Sequence, residues 1–284
     1  MTGAEAIRRA IAASVQRLVR HDPVVREGVD PEGVHQARVA TRRLRSDLRT
    51  FSPLLDPEWT AGLREELSDI AGLLGAVRDA DVLQDRLRRA AAGLPRAEEE
   101  AAQVLLRDLD ASREVDRAAL LAAMDDRRYQ TLLADLRDAA QQPKALPAAA
   151  GEAAEVLPRL AAKPWRRLER AVEALGSDPP DADLHQVRIL AKRSRYAAEA
   201  VAQAAGPVAA EFARAVAGVQ DVLGDHHDAV VAAQWLRDAA ARHPGVAFAA
   251  GSLAALEDAD AKRLRRQWRA AWRAASRKRL RSWM

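Results

Sequence analysis

The sequence contains a pair of motifs twice, in the same order and at the same spacing. The segment from His35 to Arg45 (HQARVATRRLR) aligns with the segment from His185 to Arg195 (HQVRILAKRSR). A shorter motif follows each copy at a matching distance: Leu74-Gly75 with Asp79, and Leu223-Gly224 with Asp228. Two ordered motifs at matched spacing indicate a duplicated structural unit. We therefore predict two related units, residues 1–145 and 146–284.

Apolar residues recur at helical spacing almost throughout the chain, and no segment shows the strict alternation of a half-buried strand. Alanine dominates the hydrophobic residues and aromatic residues make up only 4% of the chain, which favours helix over sheet. Turn-forming residues divide this pattern at Asp22-Pro23, Asp30-Pro31, Ser52-Pro53, Asp56-Pro57, Gly93 to Pro95, Gln142-Pro143, Gly176 to Pro180, Gly206-Pro207 and His243 to Gly245. We predict an all-α fold built from antiparallel bundles of helices about 15–30 residues long.

The composition excludes several classes of protein. The chain has no cysteine, so disulfides and thiolate metal sites are ruled out. No apolar run approaches the roughly 18 residues of a membrane span, and the N-terminal residues do not resemble a signal peptide. We therefore expect a cytoplasmic protein.

Positive charge is unevenly distributed along the chain. The net charge is +4, yet residues 262–284 contain ten basic and no acidic side chains, so the rest of the chain is mildly acidic. An anion site in the body of the protein must therefore arise from local clustering. Only five of the 45 basic residues are Lys. Arginine can bind phosphate through two parallel hydrogen bonds, so this bias suits phosphate recognition, although GC-rich coding would also favour Arg.

Each copy of the long motif predicts an amphipathic helix with a cationic stripe. On a helix at 100° per residue, the members of the first stripe lie within about 80° of one another. The first stripe consists of His35, Arg38, Arg42, Arg45 and Arg49, opposite Ala37, Ala40, Leu44, Leu48 and Phe51. The second stripe consists of His185, Arg188, Lys192 and Arg195, opposite Val187, Leu190, Ala198 and Val201. Like charges on one stripe repel, so either acidic side chains of neighbouring helices or a bound anion must compensate them.

The spacing of the charges favours a long ligand. One cation per helical turn, present in two copies, suits a chain of phosphates better than a single phosphoester. Nucleic acid is the main competitor, but base recognition needs aromatic platforms or Asn and Gln side chains near the cations. The first stripe has no aromatic residue on its cationic side, and Gln36 and Gln186 each lie about a third of a turn away. A bare phosphate chain is therefore the favoured ligand, with other polyanions and nucleic acid as alternatives.

The histidines and acidic residues allow further interpretations. His35 and His185 suit hydrogen-bond donation to phosphate, with burial in a core or metal binding as alternatives. The segment Asp225 to Asp228 has a metal-like character, and a metal-dependent phosphohydrolase centred on His226, His227 and Asp228 is the rival enzymatic hypothesis. We expect Asp79 and Asp228 to cap helices, form salt bridges or orient a basic residue. Because no phosphate loop or catalytic triad is present, we expect no catalytic site, no bound metal and no cofactor.

The basic C-terminal segment includes two tryptophans, Trp268 and Trp272, at i, i+4 spacing. Such a helix can dock through its aromatic side and expose its charges. This segment could extend the anion surface, bind nucleic acid or an acidic membrane, or simply form the solvated outer face of a terminal helix.

The two motifs together resemble the CHAD domain family of histidine-containing helical domains. The first copy matches from His35 to Phe51 and from Leu74 to Val82, and the second copy is similar to the C-terminal half of that family. The resemblance implies two pseudo-symmetric helical bundles forming one domain with a basic central groove. It also implies binding of inorganic polyphosphate and association with polyphosphate granules. By position, the groove would be lined by His35, Arg38, Arg42, Arg43, Arg45, His185, Arg188, Lys192, Arg193 and Arg195.

The second motif departs from the first at two positions. Lys192 replaces an arginine, which keeps the charge but loses the bidentate fork. Ser194 replaces a leucine at the centre of the core-facing side, where a hydroxyl is an unusual choice.

Overall fold

Helices joined by short turns make up the computed structural model, which describes all residues 1–284 and contains no β-strand. The all-α prediction is therefore confirmed. The α-helices are α1 (Gly3–Glu27), α2 (Pro31–Phe51), α3 (Pro57–Ala91), α4 (Arg96–Asp125), α5 (Arg127–Gln141), α6 (Ala153–Val156), α7 (Pro158–Glu173), α8 (Asp181–Ala205), α9 (Pro207–Arg242), α10 (Ala247–Arg265) and α11 (Trp268–Ala275). No helix is both long enough and apolar enough to cross a membrane.

Most of the predicted breakers lie at helix ends. Asp30 and Asp56 each precede a proline and cap a helix, accepting from the backbone N–H of Glu32 and Trp59 at 2.8 Å. Such Asp-Pro pairs satisfy a free N–H while the proline supplies helical φ, which is why they begin helices reliably.

The predicted break at Asp22-Pro23 is wrong, because α1 continues through Pro23 to Glu27. It ends instead at Gly28, whose φ of 71° is easily adopted only by glycine. Arg117 of α4 donates to the carbonyl oxygens of Val25 and Arg26 at 3.1 Å each, which satisfies this helix end. Tertiary contacts thus override the local effect of proline.

Helix lengths also differ from the prediction. The helices α3 and α9 contain 35 and 36 residues, longer than the expected range. The long run of apolar positions in each is not interrupted by a breaker, so each helix crosses the whole molecule. Conversely, α4 and α5 are separated at Asp126, which caps α5 without a Pro or Gly to signal the break.

The helix packing repeats between the two halves. In the first half α2 packs between α1 and α3, and in the second half α8 packs between α7 and α9. The two helices that carry the stripes, α2 and α8, also contact each other across the middle of the molecule. The duplication therefore places both cationic stripes at the junction of the halves.

The apolar core does not stop at the predicted division between residues 145 and 146. The largest cluster centres on α1, α2, α3 and α5 but includes Ala197 and Val201 of α8. Another cluster joins the facing ends of α3 and α4 to α9 and α10. The two halves thus share buried surface. The division of the chain into two related bundles between residues 145 and 146 stays a prediction.

The predicted core faces of both stripe helices are confirmed. All nine residues named for those faces are buried, and Leu44 and Phe51 are completely inaccessible. Ser194 is also fully buried, and its hydroxyl has no hydrogen-bond partner within the protein. An unpaired buried hydroxyl is unfavourable, so this position weakens the packing of α8 relative to a leucine.

The C-terminal segment is docked rather than free. Trp268, Ala275 and Leu280 lie in the core of the second half, and Trp272 stacks on Trp165 with 5.2 Å between the ring centroids. Several of its arginines form ion pairs: Arg263 with Asp260, Arg265 with Asp178 and Asp181, Arg279 with Glu211, and Arg281 with Glu169. The segment therefore has a structural role that its charge alone did not reveal.

We expect Leu44→Ala to lower the free energy of unfolding by about 2–5 kcal/mol, because it leaves a cavity under the first stripe. Val115→Ala is the control, since Val115 is 70% exposed and its truncation should cost within about 0.5 kcal/mol. Chemical denaturation monitored by circular dichroism measures both values. Equal stability of the two variants would contradict the assignment of this face to the core.

Candidate anion-binding site

A groove runs along the junction of α2 and α8, with α3 as its floor. It consists of two adjoining cavities of about 420 and 380 Å³, which share Arg38, Arg42, Asp79 and Lys192 in their walls. One cavity extends along α2 towards its C-terminal end, and the other extends towards α9. We call these two cavities together the groove.

The structure brings most of the predicted site residues to this groove. Those that line it are His35, Arg38, Arg42, Arg45, Arg49, Arg188, Lys192 and Arg193. His185 lies beside it, since its ring stacks on that of His227, which lines the groove, with 4.2 Å between centroids. Arg43 and Arg195 are placed elsewhere: they line a separate cavity of about 620 Å³ between α1, α2 and α8.

Few carboxylates neutralise the cations of the groove. Arg38 pairs with Asp79 at 3.0 Å. No ion pair within 4.0 Å forms at Arg42, Arg45, Arg49, Arg188, Lys192 or Arg193, whereas Arg43 and Arg195 are both paired with Glu199. The alternative of compensation by neighbouring acidic side chains therefore fits the separate cavity and does not fit the groove.

The crowding of positive charge changes the acidity of the groove residues. Burial, followed by the charges of Arg188, Arg42 and Arg38, lowers the pKa of Lys192 to about 8. Burial also lowers the pKa of Arg49 to about 10, with Arg193 as the next cause. The folded protein thus holds its cations at an electrostatic cost that a bound anion would relieve.

The short repeated motif has a clear geometric role at the groove. A Cβ added at Gly75 would lie 2.6 Å from Nη1 of Arg38, so only glycine lets this guanidinium lie against α3. Gly224 also faces Arg188, but a Cβ added there would lie 3.5 Å from its Nε, which is an ordinary van der Waals contact. The Leu-Gly motif therefore places a glycine beside one arginine of each stripe, and at Gly75 the missing side chain makes room for the guanidinium.

Asp79 orients Arg38, as expected, through the ion pair already described. Asp228 occupies the equivalent position, but it does not approach Arg188 within 4.0 Å. Burial raises the pKa of Asp228, and the charge of Arg188 opposes this by lowering it. The expectation that these residues cap helices is wrong, since both lie well inside α3 and α9. Sequence spacing could not distinguish a capping aspartate from one inside a long helix.

The histidines lie on the cationic side, as predicted. Burial is the main cause that lowers the pKa of both His35 and His185, followed by the charges of Arg78 and Arg188 respectively. The pKa of His227 falls to about 4, again mainly through burial. These rings are therefore neutral at pH 7 and can offer a neutral N–H donor to an anion.

The metal-like segment separates into different environments. His226 is buried and its Nε2 lies 3.4 Å from Oδ1 of Asp181, whereas His227 faces His185. Nowhere do three or more His, Asp or Glu side chains come close enough to hold a metal ion. Nothing in this geometry favours the arrangement that the phosphohydrolase hypothesis required.

Several buried donors around the junction have no hydrogen-bond partner within the protein: Arg42 Nε, Arg188 Nε, His185 Nδ1 and Tyr196 Oη. Buried polar atoms are normally paired, so the junction is unusually poor in internal hydrogen-bond partners. Apart from the tyrosine hydroxyl, all belong to predicted site residues.

Sequence reasoning did not assign Arg78, Arg86 or Tyr196 to this region, and it considered His227 only as a metal ligand. Arg78 lines the groove near His35, and His227 occupies the position equivalent to Arg78 in the second half. Tyr196 lines the groove directly after Arg195, and its ring lies 5.4–5.8 Å from the guanidinium carbons of Arg42, Arg43 and Arg195. Comparison of the short motifs at positions 78 and 227 could have identified Arg78 and His227, because both are basic.

Comparison with known proteins agrees with this architecture. Two Mycobacterium tuberculosis proteins, Rv2226 and MT2285, both named as uncharacterized, are 32% identical over 240 residues. The match covers 82% of this chain, which spans about 45% of the length of those relatives. Among solved structures, PptA from Streptomyces chartreusis has a TM-score of 0.80 at 29% identity, covering 96% of this chain and 99% of that one.

A crystal structure of the CHAD domain from the plant Ricinus communis is similarly close. Its TM-score is 0.75 at 29% identity, and the match covers 96% of this chain and 92% of that one. The sequence model of the CHAD domain family matches residues 9–237, which include both stripes and both Leu-Gly motifs. Sequence, fold and repeat thus agree, and the chain belongs to the CHAD domain family.

Proposed function

We propose that this protein binds inorganic polyphosphate in the groove between α2 and α8. The observation that carries this proposal is the set of six groove cations without a carboxylate partner. Arginine and lysine would hold the non-bridging oxygens by charge-assisted hydrogen bonds, and the neutral imidazoles would add donors. The CHAD family relates in general to polyphosphate binding, which supports this choice of ligand.

The shape of the groove supports a chain rather than a single phosphate. The first stripe extends from His35 to Arg49, about 21 Å along α2 at 1.5 Å per residue. Basic residues from both halves line this length. A single phosphate would leave most of these charges unpaired, whereas a chain can contact them in succession.

The aromatic content of the groove argues against base recognition. Tyr196 is the aromatic residue in its wall, and three arginines lie near its ring. That ring is therefore already engaged and is a poor platform for stacking a base. Polyphosphate, which needs charge and donors alone, is the better fit, with other polyanions as weaker ligands.

The same features lead us to propose binding without turnover. The groove presents positive charge and hydrogen-bond donors, which position phosphates but do not by themselves activate a nucleophile. Association with polyphosphate granules would follow, because a protein that holds long chains accumulates where they are dense. Release of phosphate from bound polyphosphate would contradict the binding-only proposal.

The central test replaces Arg38, Arg42 and Arg188 by Ala together. We expect affinity for long-chain polyphosphate to fall at least about 100-fold, because well-formed charged hydrogen bonds contribute about 1–3 kcal/mol each. Binding is measured by calorimetry in moderate salt, with single-stranded DNA as competitor. Wild type should prefer polyphosphate to DNA.

A matched control removes three arginines from the exposed side of α7, at Arg159, Arg166 and Arg170, none of which forms an ion pair. This variant has the same net charge as the groove variant and should lose no more than about threefold in affinity, since exposed charges act weakly at this salt. Equal losses in both variants, or a preference for DNA, would refute the proposed site.

A second test uses pH. Lys192 has a pKa of about 8 in the free protein, and a bound anion would raise it. Affinity for polyphosphate should therefore be constant below pH 8 and fall above it. The fall is at most about tenfold per pH unit and ends at the pKa that Lys192 has in the complex. Lys192→Arg should abolish the fall between pH 7 and 9, because arginine stays protonated. An identical pH profile in both proteins would show that Lys192 does not contact the ligand.

The nucleic-acid alternative depends on the C-terminal segment. Deletion of this segment would also remove Trp268 and Leu280 from the core, so charge removal is the sharper experiment. The variant replaces Arg266, Arg273, Arg277 and Lys278, which are exposed and without ion pairs, by Ala. We expect polyphosphate affinity to change less than about threefold, since these charges are screened. Loss of most binding would instead place the ligand on this segment.

A further inference from the structure

The cavity between α1, α2 and α8 is the largest of those next to the stripes, at about 620 Å³. It adjoins the groove, because Arg42 lines both, and Tyr196 likewise lines both. Its walls carry Arg9 and Arg17 of α1 together with Arg43 and Arg195. By its cations alone, it would be a continuation of the anion site.

Glu199 of α8 changes the character of this cavity. Its Oε2 accepts a hydrogen bond from Nη1 of Arg43 on α2, and its Oε1 accepts one from Nε of Arg195 at 2.7 Å. Both carboxylate oxygens are thus used, and they bind one arginine from each half of the molecule. The pairs are only partly exposed, so they are screened less than surface pairs.

A second carboxylate lies behind the first. Asp47 is buried, and its Oδ1 lies 4.0 Å from Nε of Arg43. Burial raises the pKa of Asp47 to about 7, against the opposing charge of Arg43. Two of the five arginines of this cavity, Arg43 and Arg195, therefore face carboxylates, whereas six cations of the groove have no carboxylate partner.

We propose that Glu199 is an internal counter-ion that keeps a polyanion out of the α1-side cavity and confines it to the groove. This inference rests on the proposed function. Glu199 is tethered at the site, so a phosphate must displace a carboxylate whose local concentration is very high. Its negative charge also repels the next phosphates of a chain that passes Arg42. Glu199 thereby limits the number of phosphates bound.

The test compares Glu199→Gln with Glu211→Gln, which removes the same charge from an ion pair with Arg279. Calorimetry is done with long-chain polyphosphate and with tripolyphosphate, after thermal unfolding has confirmed that both variants are folded. We expect Glu199→Gln to bind the long chain about tenfold more tightly than Glu211→Gln, because Arg43 and Arg195 become available. Tripolyphosphate affinity should differ less than about twofold between them, since the groove alone can hold it.

Addition of Arg43→Gln and Arg195→Gln to Glu199→Gln should cancel the gain in affinity for long-chain polyphosphate. That result would show that the gain comes from these two arginines. Equal long-chain affinity of Glu199→Gln and Glu211→Gln would overturn the counter-ion role, and so would a gain that survives in the triple variant. Failure of the proposed function would give different results. Wild type itself would not bind polyphosphate, or the variant with Arg38, Arg42 and Arg188 replaced by Ala would bind it as well as wild type does.

Discussion

Repulsion between the cations of α2 and α8 is the constraint on which the arrangement of this molecule depends. The two helices meet with their charged sides close together, and few acidic residues relieve the repulsion in the groove. What holds them there is the burial of the opposite faces, of which Leu44 and Phe51 are completely inaccessible. Hydrophobic burial contributes on the order of 1.5–3 kcal/mol for each large side chain, several times the repulsion between neighbouring exposed cations. The fold can therefore keep an unneutralised groove without losing its structure.

The sequence was most informative where a single helix decides the outcome. The 3.6-residue period separated the apolar face of α2 from the first stripe, because both belong to one regular element. It was less informative where two helices meet. Arg43 and Arg195 belong to the same motifs as Arg42 and Lys192, yet they face α1 and Glu199, since position on a helix does not reveal which neighbour covers it. Pro23 was misleading for a related reason, as contacts from α4 stabilise the helix end beyond it.

The second copy of the motif shows which features of the site depend on geometry and which tolerate change. An arginine lies beside a glycine of the neighbouring helix in both halves, but only at Gly75 would an added Cβ displace it. The partner of that arginine is less constant, because Asp79 forms an ion pair with Arg38 and Asp228 does not reach Arg188. Charge is kept where Lys192 stands in place of arginine, whereas His227, in the position of Arg78, is neutral at pH 7 and keeps only a hydrogen-bond donor. The position of a hydrogen-bond donor is thus more constrained than the identity of the side chain.

The matched placement of Arg38 over Gly75 and Arg188 over Gly224 has a consequence for the direction of binding. A site built from two repeats offers similar groups to a ligand that enters from either end. The linear phosphate chain proposed as the ligand has no head or tail, so it could enter in two orientations, which would favour the complex by at most RT ln 2, about 0.4 kcal/mol. A nucleic-acid strand runs from 5′ to 3′ and would present different groups to the two halves. The internal symmetry therefore suits a polymer without polarity, independently of its charge.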